Sequence, residues 1–148
     1  MSGPLAGLRV LELARILAGP WAGQIFADLG ADVVKVERKG AGDDTRAWGP
    51  PFVAGEAAYF LGVNRNKRSL TLNMAAPAGQ AVLQELVKRA DVLVDNFKLG
   101  TLAKWGFGDA WFEEHAPRLV RCSIATVGGM PKMASTSGRD EGCTNCRA

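Results

Sequence analysis

A chain of 148 residues that is 47% hydrophobic and 22% charged is long enough for one domain with a buried core. Its formal charge of +3 comes without a Lys/Arg-rich helix face or an RNA-binding signature, which argues against nucleic acid and suits an anionic small ligand. No run of about 18 apolar residues suggests a membrane span, and the start MSGPLAG lacks the charged-then-apolar order of a secretion signal.

The stretch from Leu8 to Arg38 organises the chain. Arg9–Leu13 reads as a buried strand, Ala14–Gly19 as a turn and Pro20–Leu29 as a helix. Gly30 reads as the helix stop and Asp32–Glu37 as a second apolar strand. This is the span of one βαβ unit, whose ligands bind beyond the carboxyl ends of the strands. Those ends are Ala14–Gly19 and Glu37–Gly40. Pro20 suits an early helical position. Trp21, Ile25 and Leu29 share one helical face, and core packing is their expected role. The helix N-terminus, with small Ala18 and Gly19, can receive a phosphate or carboxylate.

Beyond the second strand, Gly40–Arg46 is a weak phosphate loop, since it lacks a third glycine and does not follow the first strand. Trp48–Ala58 reads as a loop and Ala57–Val63 as a short helical turn. Asn64-Arg65-Asn66-Lys67-Arg68-Ser69 is the densest basic cluster. It is either a solvated strand entry or a clamp for phosphate or carboxylate. Leu70–Met74 reads as a strand, and Pro77 and Gly79 lead into a helix reaching Ala90. That helix turns Leu83, Leu86, Val87 and Ala90 to one side. Asp91–Asp95 is the next strand, with Asn96-Phe97-Lys98 at its carboxyl end. Gly100–Gly106 is a short helix carrying Leu102 and Trp105, Trp111–His115 is another, and Leu119–Ile124 is a further strand. Alternating strands and helices predict an α/β parallel sheet. From Thr126 the chain holds Val127 as its only Leu, Ile, Val or Phe, so it is expected to pack poorly.

Few residues offer chemistry. His115 is the sole histidine and reads as a helix-end surface residue. With three cysteines and a lone Cys122 in a strand-like run, no disulfide scaffold is expected, and the compartment reads as cytoplasmic. Cys143 and Cys146 form one C-x-x-C, half of a structural zinc site, in a weakly structured tail. There is no G-x-S-x-G elbow and no Walker loop. From its residues alone the chain is an α/β nucleotide-like binder without an evident catalytic group.

Five ordered stretches then resemble a known family: PLAGLRVLELARILAGPWAGQIFADLGADVVKVER, GDDTRAWGPPF, VNRNKRSLTLNM, DVLVDNFKLGTLAKWGFG and LVRCSI. They run from Pro4 to Ile124. The chain resembles the N-terminal part of the class III CoA-transferases, which include formyl-CoA, carnitine-CoA and succinate–glutarate-type transferases and the related α-methylacyl-CoA racemases. GDDTRAWGPPF with NRNKRS leans toward the dicarboxylate branch.

The resemblance implies a Rossmann-like parallel sheet with flanking helices, an incomplete class III fold. Residues 1–125 would form the CoA-binding α/β part and residues 126–148 an atypical, poorly ordered tail. Leu17 and Ala18 would lie against the coenzyme A. Arg38 would meet its adenosine-phosphate end. Leu72, Asn73, Met74 and Ala75 would line it, with Ala75 standing where some relatives carry Lys. Asn96, Phe97 and Lys98 would contact it, and Lys104 would add a phosphate contact.

No metal is implied. The implied partners are an acyl-CoA and a small carboxylic acid, and intact relatives are interlocked homodimers. The family nucleophile is an aspartate that lies beyond this chain; Asp140 is not taken for it. From Ala125 the text departs from the family pattern, and a truncation with an out-of-frame tail is expected. The rival functions are an α-methylacyl-CoA racemase, an inactive remnant, and an NAD(P)-binding module with Glu37 on a ribose or Arg38 on a 2′-phosphate. Ala14–Gly19 lacks the dinucleotide glycine pattern, which counts against the last.

Overall fold

A computed structural model describes residues 3–124 and the backbone of Cys146 and Arg147. The tail beyond Ile124, with Cys143 and Asp140, otherwise lies outside the described residues. In chain order the elements are β1 (Arg9–Glu12), α1 (Ala18–Asp28), β2 (Asp32–Glu37) and a 3₁₀ turn (Asp44–Ala47). Next come β3 (Phe52–Val53), β4 (Glu56–Ala57), α2 (Ala58–Asn64) and β5 (Arg68–Thr71). Then follow α3 (Pro77–Arg89), β6 (Val92–Asp95), α4 (Thr101–Lys104), α5 (Asp109–His115), β7 (Val120–Ser123) and β8 (Cys146–Arg147).

The main sheet has the order β5-β2-β1-β6-β7-β8. Pairings from β5 through β7 are all parallel, and β8 joins β7 antiparallel. Numbered along the parallel strands alone, this is the 3-2-1-4-5 order of a doubly wound sheet, whose crevice opens where the order reverses. Here the reversal lies between β1 and β6, so the expected α/β parallel sheet is the one observed.

Strand alternation divides the core. Leu11, Leu13, Val36 and Leu93 face α3 and the short α4 and α5, meeting Leu83, Val87, Phe107 and Phe112. Val10, Ala14, Val33, Val92 and Val94 face the other way, meeting Ala27 and Ala31. Leu83 and Val87 are buried and Leu86 and Ala90 pack beside them, so the α3 face is the one its spacing predicts. Gly30 ends α1 at φ 95°, the left-handed exit that glycine allows most readily.

The α1 face is otherwise than expected. Trp21, Ile25 and Leu29 are 57%, 54% and 41% exposed. The buried positions of α1 are Gly19, Pro20, Gly23, Gln24 and Ala27. Helical spacing identifies a stripe, but it cannot say which stripe meets the sheet. The cause is close approach: a Cβ on Gly19 would lie 2.1 Å from the Ala14 Cβ, and one on Gly23 1.8 Å from Glu12 Oε2. A helix seated this near the strands turns its small residues inward and leaves the bulky ones outside.

Two boundaries also move. β5 starts at Arg68 and ends at Thr71, so Leu72–Ala75 form the loop after the strand rather than the strand itself. Trp48–Ala58 contains a hairpin, β3 on β4. Its turn residues Ala54 and Gly55 both have positive φ, the requirement of a tight hairpin turn, but Ala-Gly is a weak signal for it.

Candidate functional site

Parallel pairing places the segments after β5, β2, β1 and β6 side by side along one sheet edge. Beneath them, on the α1 side, the strands carry charge. Glu12 and Lys35 are register partners, and both are buried. Lys35 Nζ lies 2.9 Å from Glu12 Oε1 and 2.9 Å from Asp43 Oδ2, and it donates to Ala14 O at 2.9 Å. Lys67 Nζ donates to Glu12 Oε2 at 2.7 Å, to Pro20 O at 2.6 Å and to Asn64 Oδ1 at 3.1 Å. Two lysines thus face two carboxylates with no net charge, the condition under which buried ions are tolerated. Burial pushes the Lys67 ammonium below its ordinary value, and Glu12 opposes that shift.

A second hub centres on Glu37. Its carboxylate accepts from Arg46 Nε and Nη2, each at 2.8 Å, from Ser69 Oγ at 2.7 Å and from Asp43 N–H at 2.8 Å. Burial alone would raise this carboxyl, but Arg46, Ser69 and the Asp43 amide outweigh it and hold the value down at about 2. Arg46 also stacks over Phe60, 3.8 Å from the ring centre. Asp43 is buried too, yet the Thr45 amide and Lys35 keep it below its ordinary value. Asp43–Arg46 is therefore a polar joint with Asp43 and Thr45 buried, while Gly40 and Ala41 stay exposed. A cleft opens above it between Arg38, Gly42, Ser69 and Thr71.

Each residue of the basic cluster finds a place. Arg65 pairs with Asp28 and Arg68 with Asp32, both at 2.5 Å. Asn66 donates to Asp28 at 2.8 Å, and Asn64 to Phe60 O at 3.0 Å. The solvated strand entry describes the two arginines, which are exposed ion pairs, whereas Lys67 is a buried support.

The residues implied as ligand contacts fall after four neighbouring strands. Leu17 caps the N-terminus of α1 and Ala18 begins it; both are exposed. Arg38 follows β2 and is partly tied to Asp44 at 2.5 Å. Leu72 and Met74 point into the apolar core, so only their backbone faces the edge, with Asn73 and Ala75 exposed beside them. Asn73 Oδ1 accepts the Ala75 N–H at 3.2 Å, forming a local turn. Asn96 reaches across to the β1 loop, accepting Arg15 N–H at 3.0 Å and donating to Arg15 O at 2.8 Å. Phe97 meets Trp105 edge-on at 5.3 Å and packs against the core. Asp95, raised by burial, accepts Phe97 N–H at 3.1 Å and Ser123 Oγ at 2.6 Å, which fixes the start of that loop. Lys98 and Lys104 are exposed.

Glu12, Lys35, Asp43 and Lys67 were not singled out as site residues by sequence reasoning. For Glu12 and Lys35 the signal was available, because a charge inside a strand covered on both faces must be buried and therefore partnered; Asp43 and Lys67 lie outside the strands. Glu37, the candidate ribose ligand of the dinucleotide reading, is already filled by Arg46, Ser69 and Asp43, which counts against that reading. Among the described residues no cluster of His, Cys, Asp and Glu could hold a metal, and no helix is long and apolar enough to cross a membrane. His115 stacks on Trp111 at 4.8 Å at the end of α5, away from this edge.

Residues 5–143 match CoA-transferase family III. The chain belongs to this family. The match continues past Ile124 into the tail. Among relatives, the succinate–glutarate CoA-transferase of Agrobacterium fabrum is 50% identical over 93% of this chain and 36% of its own length. The succinyl-CoA:glutarate CoA-transferase of Homo sapiens is 47% identical over 93% of this chain and 31% of its own length. The chain thus spans about a third of the length of these relatives. A CAIB/BAIF family protein from Brucella suis superposes with a TM-score of 0.78 at 52% identity, covering 83% of this chain and 33% of that one. The family III fold accounts for the doubly wound sheet, of which this chain supplies one part.

Proposed function

We propose that this chain is the coenzyme A-binding part of a CoA-transferase that moves CoA between an acyl-CoA and a small carboxylic acid. The relatives named for succinate and glutarate favour a dicarboxylate acceptor. The observation that carries the reading is a set of unpaired cations. Lys39, Lys98 and Lys104 meet no carboxylate among the described residues; Lys39 and Lys98 follow β2 and β6 on the same edge, and Lys104 ends α4, the short helix that comes next in the chain. Elsewhere Arg9, Arg65, Arg68, Lys88 and Arg121 each sit in an ion pair, while Arg89 and Arg118, which precede β6 and β7 at the opposite end of the strands, have none among the described residues. Helix α1 has no side-chain cap and no acid in its first turn, so its N–H groups are open to an anion on the same edge. Several phosphates on one ligand would use both features.

Leu17, Ala18, Arg38, Leu72–Ala75, Asn96–Lys98 and Lys104 are the proposed contacts, with Leu72 and Met74 contributing backbone. The nucleophilic aspartate of the family is supplied by sequence other than the described residues, and a homodimer in the cytoplasm is the proposed working state. An out-of-frame origin of the tail, against which the family match to residue 143 counts, is tested by translating the other reading frames of its DNA. Isothermal titration with coenzyme A tests the binding directly. Heat of binding is expected, and Lys98→Glu or Lys104→Glu should weaken it about tenfold, the scale of a lost charged contact. No heat at millimolar coenzyme A would refute the reading.

A further inference from the structure

Between β1 and α1 the chain turns with Ile16 at φ 75°. A β-branched residue takes that conformation only where its surroundings impose it. Four side chains from distant parts of the sequence do so. Lys35 Nζ donates to Ala14 O at 2.9 Å, and Asn96 bonds both the N–H and the carbonyl of Arg15. The Asp43 carboxylate accepts the Ile16 N–H at 3.3 and 3.4 Å, and Lys67 Nζ donates to Pro20 O at 2.6 Å. Asp43 is itself fixed by Lys35 at 2.9 Å and by the Thr45 hydroxyl at 2.8 Å.

We infer that Asp43 is a positioning residue for the ligand: anchored by Lys35, it holds Ile16 in the left-handed turn and so presents the Leu17–Ala18 end of α1 to a phosphate of coenzyme A. This rests on the coenzyme A reading above. The Ile16 side chain is 38% exposed, so its bulk is not needed to fill the core. Its conformation, rather than its volume, is what the brace maintains.

The test compares coenzyme A titrations of the unmodified chain, Asp43→Ala, and the double variant Ile16→Gly/Asp43→Ala. Asp43→Ala should lose about tenfold or more in affinity, the scale of releasing one strained residue. Adding Ile16→Gly should restore most of that loss, because glycine takes the left-handed turn without a brace. A residue that merely stabilises the fold gives no such rescue. Unchanged affinity in Asp43→Ala, or a double variant as weak as the single one, overturns the inference. Should Asp43→Ala fail to fold, amide exchange on the unmodified chain decides. The Ile16 N–H is then expected to be as protected as the Leu13 N–H, and exchange as fast as at Lys39 overturns the brace. If the unmodified chain binds no coenzyme A, it is the coenzyme A reading that fails.

Discussion

The two faces of the sheet are built from the same strands by different physics. On the α3 side Leu11, Leu13, Val36 and Leu93 meet Leu83, Val87 and a cluster of aromatic rings. Contact there is non-directional and grows with area. On the α1 side Val10, Val33, Val92 and Val94 form an apolar base, but β1 and β2 then carry Glu12, Lys35 and Glu37, and every one is buried. Among the described residues no buried side-chain nitrogen or oxygen lacks a partner. That face is directional: each charge holds because particular atoms stand within hydrogen-bonding distance. It also dictates the helix above it, since only Gly23 leaves room for the Glu12 carboxylate and the Lys67 ammonium. The polar face carries the proposed ligand edge, and the apolar face supports it from below.

Removing one ion from the polar face has the largest expected effect. Lys35→Met leaves the Asp43 carboxylate buried without its ammonium and deprives Glu12 of one of two partners. Breaking a buried pair in this way costs about 3–5 kcal/mol. Leu83→Ala on the apolar face removes a fully buried side chain and should cost about 2–5 kcal/mol. Urea unfolding of both variants gives the ranking. A loss below about 1 kcal/mol for Lys35→Met would mean that the lattice contributes little beyond an apolar replacement.

Acid sharpens the same contrast. Glu37 falls from an ordinary 4.5 to about 2 in the folded chain. A carboxyl with a lowered folded value contributes stability that is complete above its unfolded value and is lost as pH falls through its folded one. For Glu37 this window runs from about pH 5 down to about 2, and the shift corresponds to about 3 kcal/mol. Asp43 shifts in the same direction. Asp95, raised by burial, works in the opposite sense, since protonation relieves its desolvation. Stability measured from pH 6 to pH 2.5 should therefore fall, and Glu37→Gln should flatten much of the slope. An unchanged slope in that variant would remove Glu37 as its source.

The sequence makes one of these faces far more legible than the other. Leu83, Leu86, Val87 and Ala90 announce their direction because the opposite side of α3 carries Glu85, Lys88 and Arg89, all exposed. Strands announce themselves as apolar runs, and the doubly wound order follows from their alternation with helices. The proposed ligand edge is legible once parallel strands are granted, since their carboxyl ends must lie together. The polar lattice is harder to see. It is assembled from Glu12, Lys35, Asp43 and Lys67, which no local spacing connects and which only the sheet register and the seat of α1 bring together. Met74 and Leu72 show a related limit of local reading: a residue beside the strand ends can point its side chain into the core and leave only its backbone outside.

The smallest effect concerns the outer side of α1. Trp21 is large and apolar, and spacing places it with Ile25 and Leu29 as a core stripe. Were that so, Trp21→Gln would cost about as much as a large-to-small core change, some 3–5 kcal/mol. Trp21 is instead 57% exposed, while Gly19, Gly23 and Ala27 make the contact with the sheet. Glutamine keeps good helix propensity at an exposed site. The substitution should therefore move the unfolding free energy by no more than about 0.5 kcal/mol, as surface changes do, and urea titration beside Leu83→Ala is the measurement. A loss close to that of Leu83→Ala would place Trp21 in the core and reverse the assignment of the inward face. A small change would confirm that the polar lattice, by requiring glycine above it, is what turns the bulky stripe of α1 outward.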